Sequence, residues 1–245
     1  MIELEMRKLA GSEVLHAFPR GNADSALPCI VFYHGFTSSK EVYSYFAVTL
    51  ALAGFRVIMP DALEHGSRFG GDAAARMQRF WPILLNSCHE FAALKEAIVS
   101  QGWQDEDRLA VAGASMGAMT ALGIMTHHPE VKCVASLMGS GYLTSLSRSL
   151  FPSQEMPAEL AEWDVENQLE KLAARPLLLW HGEDDDVVPA AESFRLQQAL
   201  QQQGLDGQLT FHWQAGVRHR ITPEALAATV AFFKRFLYTR RTWTP

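Results

Sequence analysis

The chain has 245 residues, of which 48% are hydrophobic and 20% charged, and its formal net charge is -6. A chain of this length fits one large domain, and the composition excludes disordered, collagen-like and coiled-coil proteins. Because acidic residues outnumber basic ones, no excess of cations is available to neutralise phosphates, and we expect no nucleic-acid partner.

Short apolar segments alternate with helical patterns along the whole chain. Residues 2–8 and 13–18 are predicted to form an antiparallel hairpin at the start of a sheet. The strands predicted after it are 27–33, 55–59, 109–112, 133–138, 176–180 and 209–213. Helical patterns are predicted near 42–53, 82–101, 190–203 and 223–236, with one more helix starting near 116. Short strands that are apolar throughout and separated by helices indicate a mostly parallel sheet covered on both faces.

The segment 140–172 is the least regular part of the chain. It lies between two predicted core strands, is rich in apolar residues, and is interrupted by Pro152 and Pro157. We expect a single α/β domain over residues 1–245, with 140–172 as a short lid-like insertion. The segment is interpreted either as a crossover that covers the core or as a lid that lines an acyl pocket.

Membrane and secretion signals are missing from the sequence pattern. The longest apolar runs, such as 29–33 and 176–180, are far shorter than the roughly 20 residues that span a bilayer. The first residues are acidic and no apolar stretch follows them, unlike a signal peptide. The 3 cysteines are scattered and odd in number, which favours a reducing compartment. We therefore predict a cytoplasmic protein with no membrane partner.

The pentapeptide Gly113-Ala114-Ser115-Met116-Gly117 matches the pattern G-x-S-x-G and stands between a predicted strand and a predicted helix. A serine on such a sharp turn needs small flanking residues, and it gains from the partial positive charge of the helix N-terminus. We therefore predict Ser115 as a nucleophile. Ser140, between two glycines, is a rival serine, but no helix start follows it.

A nucleophilic serine needs a base, and the base needs an acid that orients it. On sheets of this kind the partners follow in the order serine, acid, histidine, each after a later strand. Of the 9 histidines, His219 is both downstream of an acidic loop and placed before the last helix. Spacing alone leaves Asp184, Asp185 and Asp186 open as the acid.

The chain resembles the α/β-hydrolase superfamily, and within it the dienelactone-hydrolase and prolyl-oligopeptidase-like branch. The similarity runs along nearly the whole chain, and the motifs that carry it are 32–39, Asp61 with 65–68, 113–117 and 182–189. The resemblance implies an α/β-hydrolase fold, Asp185 as the acid, and an oxyanion hole formed by the backbone N–H groups of Phe36 and Met116. His65 is interpreted as a support for the neighbouring loop.

The predicted function is hydrolysis of small, short-chain carboxylic esters through an acyl-enzyme, with no metal or organic cofactor. The same residues would also serve a thioesterase, an acyltransferase or a small-peptide hydrolase, and a non-catalytic binding protein is a further alternative. Phe69, Trp81 and Tyr142, together with Phe36 and Met116, are candidates for an apolar substrate pocket. The expected partner is a small-molecule ester, and the sequence leaves open whether the chain is a monomer or a dimer.

Overall fold

The computed structural model describes residues 1–238, which are built around one eight-stranded sheet. The strands are β1 (Ile2–Leu9), β2 (Ser12–Pro19), β3 (Leu27–Tyr33), β4 (Arg56–Pro60), β5 (Gln104–Ala114), β6 (Cys133–Leu137), β7 (Leu177–Gly182) and β8 (Leu209–Gln214). Their order across the sheet is β1-β2-β4-β3-β5-β6-β7-β8. β2 is antiparallel to β1 and β4, and every other neighbouring pair is parallel. The predicted hairpin and mostly parallel sheet are confirmed.

Helices connect the parallel strands. They are α1 (Ser44–Leu52), α2 (Ala73–Met77), α3 (Phe80–Ser100), α4 (Met116–His127), α5 (Leu143–Leu146), α6 (Leu169–Ala173), α7 (Ala191–Gln202) and α8 (Pro223–Leu237). Two short 3-10 turns span Gly66–Arg68 and Ala158–Trp163. None of the helices within residues 1–238 combines the length and the apolar character that crossing a membrane requires.

The alternation of side chains along the central strands builds a core on each face of the sheet. In β3, Ile30 and Phe32 face the cluster that contains the buried residues of α1 and α8. Val31 and Tyr33 point the other way, into the cluster that contains buried residues of α3, α4, α6 and α7. Because both faces are covered, these strands are apolar at successive positions, which is why the sequence shows continuous apolar runs.

Two regions differ from the pattern read from the sequence. β5 begins at Gln104, earlier than the predicted 109, because the polar residues 104–107 give no hydrophobic signal. The pairing of β5 with β3 is irregular there, with a register shift between Leu27 and Cys29. The insertion 140–172 contains α5, a 3-10 turn and the start of α6, all short.

The fold brings four loops to one edge of the sheet. They follow β3, β5, β7 and β8, which are parallel and adjacent or separated by only one strand. The carboxyl edge of such a sheet is where doubly wound proteins place their ligand sites. The predicted nucleophile, acid, base and oxyanion loop all lie on these four loops.

Candidate active site

Ser115 lies at the junction of β5 and α4, in a conformation that few L-residues adopt. Its φ is +55° and its ψ is −118°, and its N–H donates to the Leu137 carbonyl at 2.9 Å. Backbone of this kind costs about 1–3 kcal/mol and persists where the surroundings fix it. A Cβ on Gly113 would overlap the Gly117 carbonyl, and one on Gly117 would overlap the Tyr33 carbonyl. The two glycines therefore allow the turn that presents the Ser115 side chain.

His219 connects the nucleophile to an acid. Its Nε2 lies 2.9 Å from the Ser115 Oγ, and its Nδ1 lies 2.8 Å from Oδ2 and 3.0 Å from Oδ1 of Asp185. His219 comes from the loop between β8 and α8, and Asp185 from the loop after β7. The structure thus brings together the three residues predicted from the sequence. Ser115 is 104 positions from His219 along the chain, and Asp185 is 34 positions from it.

The neighbours of Asp185 lie elsewhere. Asp184 is exposed, and its N–H donates to the Val217 carbonyl at 3.0 Å. Asp186 is exposed and lies 3.5 Å from the Arg218 guanidinium. Only the Asp185 side chain of these three is fully buried and contacts an imidazole in the described structure. Of the three carboxylates that spacing left open, Asp185 is the one that points inward to His219.

Asp185 is held as an anion by several donors. Its Oδ1 accepts from the N–H groups of Val187 and Val188, both at 2.9 Å, and its Oδ2 lies 3.1 Å from Nε2 of His181. Burial by itself raises the pKa of Asp185, but the hydrogen bonds from His181, His219 and Val187 outweigh it and hold the pKa well below its usual range. An ionised carboxylate accepts from Nδ1–H of His219, which leaves Nε2 free to accept from the serine hydroxyl.

Two backbone amides near Ser115 are the predicted donors for an incoming oxygen. Met116 is the first residue of α4, where an N–H has no acceptor inside the helix. Phe36 follows Gly35, and a Cβ on Gly35 would lie 3.5 Å from the Ser115 Cβ, so the loop after β3 packs directly against the turn. Among residues 1–238 neither amide donates to a protein acceptor.

The loop that carries Phe36 is held by groups from the loop after β4. Thr37, at φ +62°, donates its N–H to Nε2 of His65 at 2.8 Å, while Nδ1 of His65 lies 2.8 Å from the Leu63 carbonyl. Nε2 of His34 accepts from the Ala62 N–H at 3.0 Å. Burial lowers the pKa of His65, which favours the neutral ring that accepts from Thr37.

A buried ion pair lies behind the same loop. Lys40 Nζ is 2.5 Å from Oδ2 of Asp61, and both side chains are fully buried. The Lys40 N–H donates to Oδ1 of Asp61 and the Ser67 N–H to Oδ2, each at 2.9 Å. Burial opposes the charge on Asp61, but hydrogen bonds from Lys40 and Ser67 lower its pKa. The local sequence around Lys40 gives no signal of this burial.

The pocket candidates have different surroundings. Trp81 is fully buried in an apolar cluster that contains Met116, and Phe36 packs against that cluster. Tyr142 belongs to the core on one face of the sheet, where the Arg195 guanidinium lies 3.8 Å from its ring. Phe69 is 40% exposed beneath Arg76. A substrate-binding role remains a prediction for Trp81, Tyr142 and Phe69.

Phe36 also belongs to a group of three rings that sequence reasoning missed. Its ring centroid lies 5.0 Å from that of Phe80 and 5.7 Å from that of Phe151, and the last two are 5.0 Å apart. Phe151 comes from the insertion, and Gln154 ties it to α3 by accepting from the Phe80 N–H at 3.0 Å. The insertion therefore contributes one aromatic ring, that of Phe151, to a cluster next to the loop after β3.

The rival serine contacts no histidine in the hydrogen bonds of residues 1–238. The Ser140 Oγ donates to a carboxylate oxygen of Glu192 at 2.8 Å and accepts from the Tyr142 N–H at 3.0 Å. Among residues 1–238, no group of three or more histidine, cysteine or acidic side chains has a metal-binding arrangement.

Comparison with known proteins places the chain in a family. The sequence pattern of the prolyl oligopeptidase family matches residues 43–239, which is most of the chain. The chain belongs to the prolyl oligopeptidase family. It is 62% identical to esterase YjfP of Escherichia coli strain K12 over 97% of this chain and 100% of that protein.

Solved structures of similar shape support the fold of this prolyl oligopeptidase family member. TT1662 from Thermus thermophilus matches with a TM-score of 0.82 and 26% identity over 98% of this chain and 100% of that one. A puromycin-hydrolyzing peptidase of Mycobacterium tuberculosis matches with a TM-score of 0.73 and 23% identity over 97% of this chain and 40% of that one. The predicted α/β-hydrolase fold is confirmed.

Proposed function

We propose that the chain is a serine hydrolase that cleaves small carboxylic esters through an acyl-enzyme on Ser115. The observation that carries the proposal is the continuous contact from Ser115 Oγ to His219 to Asp185, at 2.9 and 2.8 Å. The relative that is 62% identical over its full length is named an esterase.

The first half of the reaction forms the acyl-enzyme. Nε2 of His219 takes the proton from the Ser115 Oγ as this oxygen bonds to the ester carbonyl carbon. The carbonyl oxygen becomes an oxyanion that accepts from the N–H groups of Phe36 and Met116. The oxyanion then collapses, the bond to the alcohol oxygen breaks, and His219 gives its proton to that oxygen.

The second half clears the enzyme. His219 takes a proton from water, whose oxygen attacks the acyl carbon, and the Ser115 oxygen leaves and recovers the proton. Asp185 stays ionised throughout and holds the imidazole in the tautomer that this sequence needs. No step calls for a metal or an organic cofactor.

Three phenylalanines support the proposal of small acyl groups. Phe36, Phe80 and Phe151 pack against one another beside the oxyanion loop. We propose that Phe151 and the rest of the insertion 140–172 limit the length of the acyl chain, as part of a single domain spanning residues 1–245. The cysteines at 29, 88 and 133 are free and buried, which supports the cytoplasm as the proposed compartment.

A chain-length series tests the proposal. Wild type and Ser115→Ala are assayed on p-nitrophenyl acetate, butyrate, octanoate and laurate, with the matching thioester and p-nitroanilide of acetate alongside. We expect the highest kcat/KM on the short esters, and loss of turnover in Ser115→Ala. Equal activity of the two proteins would overturn the role of Ser115, and faster cleavage of the thioester or anilide would replace ester hydrolysis by that chemistry.

A further inference from the structure

A second histidine contacts the acid of the proposed triad. His181, on β7, is fully buried, and its Nε2 lies 3.1 Å from Oδ2 of Asp185. This is the same oxygen that lies 2.8 Å from Nδ1 of His219. Asp185 is therefore placed between two imidazoles, one on the side of the nucleophile and one inside the protein.

The neighbours of His181 determine where its proton lies. Nε2 is also 2.9 Å from the Val188 carbonyl, which can only accept, so Nε2 carries the hydrogen. Nδ1 of the neutral ring is then an acceptor, and the Ser193 hydroxyl lies 2.7 Å from it. The Ser193 oxygen is 3.3 Å from the Gly139 carbonyl oxygen, which is farther than its distance from Nδ1 of His181. The closer acceptor for the Ser193 hydroxyl is therefore Nδ1. Ser193, in the first turn of α7, thus orients His181 as Asp185 orients His219.

We infer that His181 is a positioning residue for the proposed hydrolysis, acting through Asp185. Its Nε2–H donates to the Asp185 carboxylate on the side away from Ser115. The acceptor is Oδ2, the same oxygen that accepts from Nδ1–H of His219. The inference rests on the proposed function, because it assigns a role in the work of that triad. His181 touches neither the nucleophile nor the oxyanion loop in the hydrogen bonds of the described chain.

Sharing one oxygen has a consequence for proton transfer. A carboxylate that loses a donor is less stabilised as an anion and becomes a stronger acceptor for its remaining partner, so it stabilises the protonated form of a neighbouring imidazole more. Removing the His181 donor should therefore favour protonated His219, which cannot accept the serine proton. Activity in the acid range should fall first, and the acid limb of the kcat/KM profile should move to higher pH.

The charged residues next to His219 in its loop point to solvent. On the loop of His219, Arg218 and Arg220 are exposed, and Arg218 pairs with the exposed Asp186 at 3.5 Å. Facing His181 are the Ser193 hydroxyl, the Val188 carbonyl and Asp185. A substitution at 181 therefore changes the environment of His219 mainly through Asp185.

Two amide substitutions separate the two sides of the His181 ring. In His181→Gln the amide nitrogen reaches the position of Nε2 and donates to Asp185. In His181→Asn the shorter amide reaches Ser193 but not Asp185. His181→Gln and His181→Asn both keep a polar group in a buried polar site. His181→Leu donates to neither Asp185 nor Ser193, so it is a second variant that lacks the donor to Asp185. His212→Leu serves as a control, because His212 is exposed on the neighbouring strand β8, opposite Trp180.

The experiment measures kcat, KM and the pH profile of kcat/KM on p-nitrophenyl acetate, with thermal melts to select folded variants. We expect kcat to fall about 10- to 100-fold in His181→Asn and His181→Leu, by analogy with the hydrogen-bond partners that orient metal-binding residues. KM should change little, the acid limb should move to higher pH, and His181→Gln should recover most of the activity. His212→Leu should match wild type.

The outcomes are distinguishable. Suppose that wild type is active and that a folded variant without the donor, His181→Asn or His181→Leu, has the same kcat and the same acid limb. This result would overturn the role of His181 and leave the proposed function intact. Equal loss in His181→Gln and His181→Asn would also overturn it, because the donor to Asp185 would then be irrelevant. A wild type that neither cleaves the ester nor reacts with a fluorophosphonate would overturn the proposed function itself.

Discussion

Gly117 lies directly beneath the carbonyl of Tyr33, so close that a Cβ at this position would overlap the oxygen. The contact joins the first turn of α4 to the end of β3, the two elements that flank the proposed oxyanion site. The glycine at the end of the G-x-S-x-G pattern is therefore a packing requirement of the turn, in addition to a conformational one.

This relationship predicts opposite results for two glycines of one helix. Gly117→Ala should unfold the turn or displace β3, with loss of esterase activity and of stability. Gly123→Ala, also in α4, should be tolerated, because its Cβ would meet the nearest atoms, of Cys88 and Trp163, at 3.4 Å. Alanine in a helix is favoured over glycine by roughly 1 kcal/mol. Thermal melts and ester turnover check both variants, and a fully active Gly117→Ala would contradict the packing account.

The acid loop allows a test with adjacent controls. Asp185→Asn should lower kcat about 10⁴-fold, because an amide favours the wrong tautomer of His219. Asp184→Asn and Asp186→Asn should stay near wild type, since both side chains are exposed and neither contacts His219. The measurement is kcat on a p-nitrophenyl ester for all three variants. A dead Asp184→Asn beside an active Asp185→Asn would show that the acid is assigned to the wrong residue.

Lys40 should matter for stability far more than a surface lysine. Lys40→Met removes the buried cation next to Asp61, and breaking a buried pair typically costs about 3–5 kcal/mol. Lys132→Met removes an exposed pair with Asp107, 3.2 Å apart, and such pairs contribute about 0–1 kcal/mol. Urea denaturation of both variants gives the two free energies of unfolding. Equal losses would mean that Asp61 is stabilised by other groups.

His16 should make the protein less stable as the pH falls. Burial, with a smaller effect of Arg56, lowers its pKa to about 4 from 6.5, while its contact with Glu5 opposes the shift. The unfolded chain therefore binds more protons between these values, so the stability that neutral His16 contributes is complete above about 6.5 and is lost towards 4. Each pKa unit corresponds to about 1.4 kcal/mol.

The check is urea denaturation at about pH 7 and about pH 4.5 for wild type and His16→Gln. Glutamine keeps an acceptor for Arg56 and a donor for Glu5 without titrating, so the variant should lose less stability between the two conditions. His34, whose pKa burial also lowers to about 4, contributes a background that both proteins share. An unchanged pH dependence in His16→Gln would contradict the buried neutral state of His16.

Much of the fold was predictable because its signals are local. β3 is a continuous apolar run that ends at Tyr33. Ser115 lies in a pentapeptide whose two glycines leave room for neighbouring backbone atoms. Chain order then indicated His219. The choice of Asp185 over its two neighbours required the resemblance, because three adjacent carboxylates have the same local pattern and only the three-dimensional path of the loop selects one.

The remaining features depend on contacts between distant segments. Lys40 looks like an ordinary surface residue in sequence, and its burial follows from the approach of Asp61 and Ser67 on another loop. His181 directly follows the predicted strand 176–180, and its contacts with Ser193 and Asp185 exist only in the folded chain. A histidine directly before the glycine of the acid loop was the signal that could have drawn attention to it.

The measurement that tests the central claim most directly is the intact mass of wild type and Ser115→Ala after treatment with a small fluorophosphonate. The account predicts one adduct on wild type and none on Ser115→Ala, because only a serine activated by a neighbouring base reacts at an appreciable rate. An unmodified, well-folded wild type, or an adduct retained in Ser115→Ala, would contradict Ser115 as the activated nucleophile.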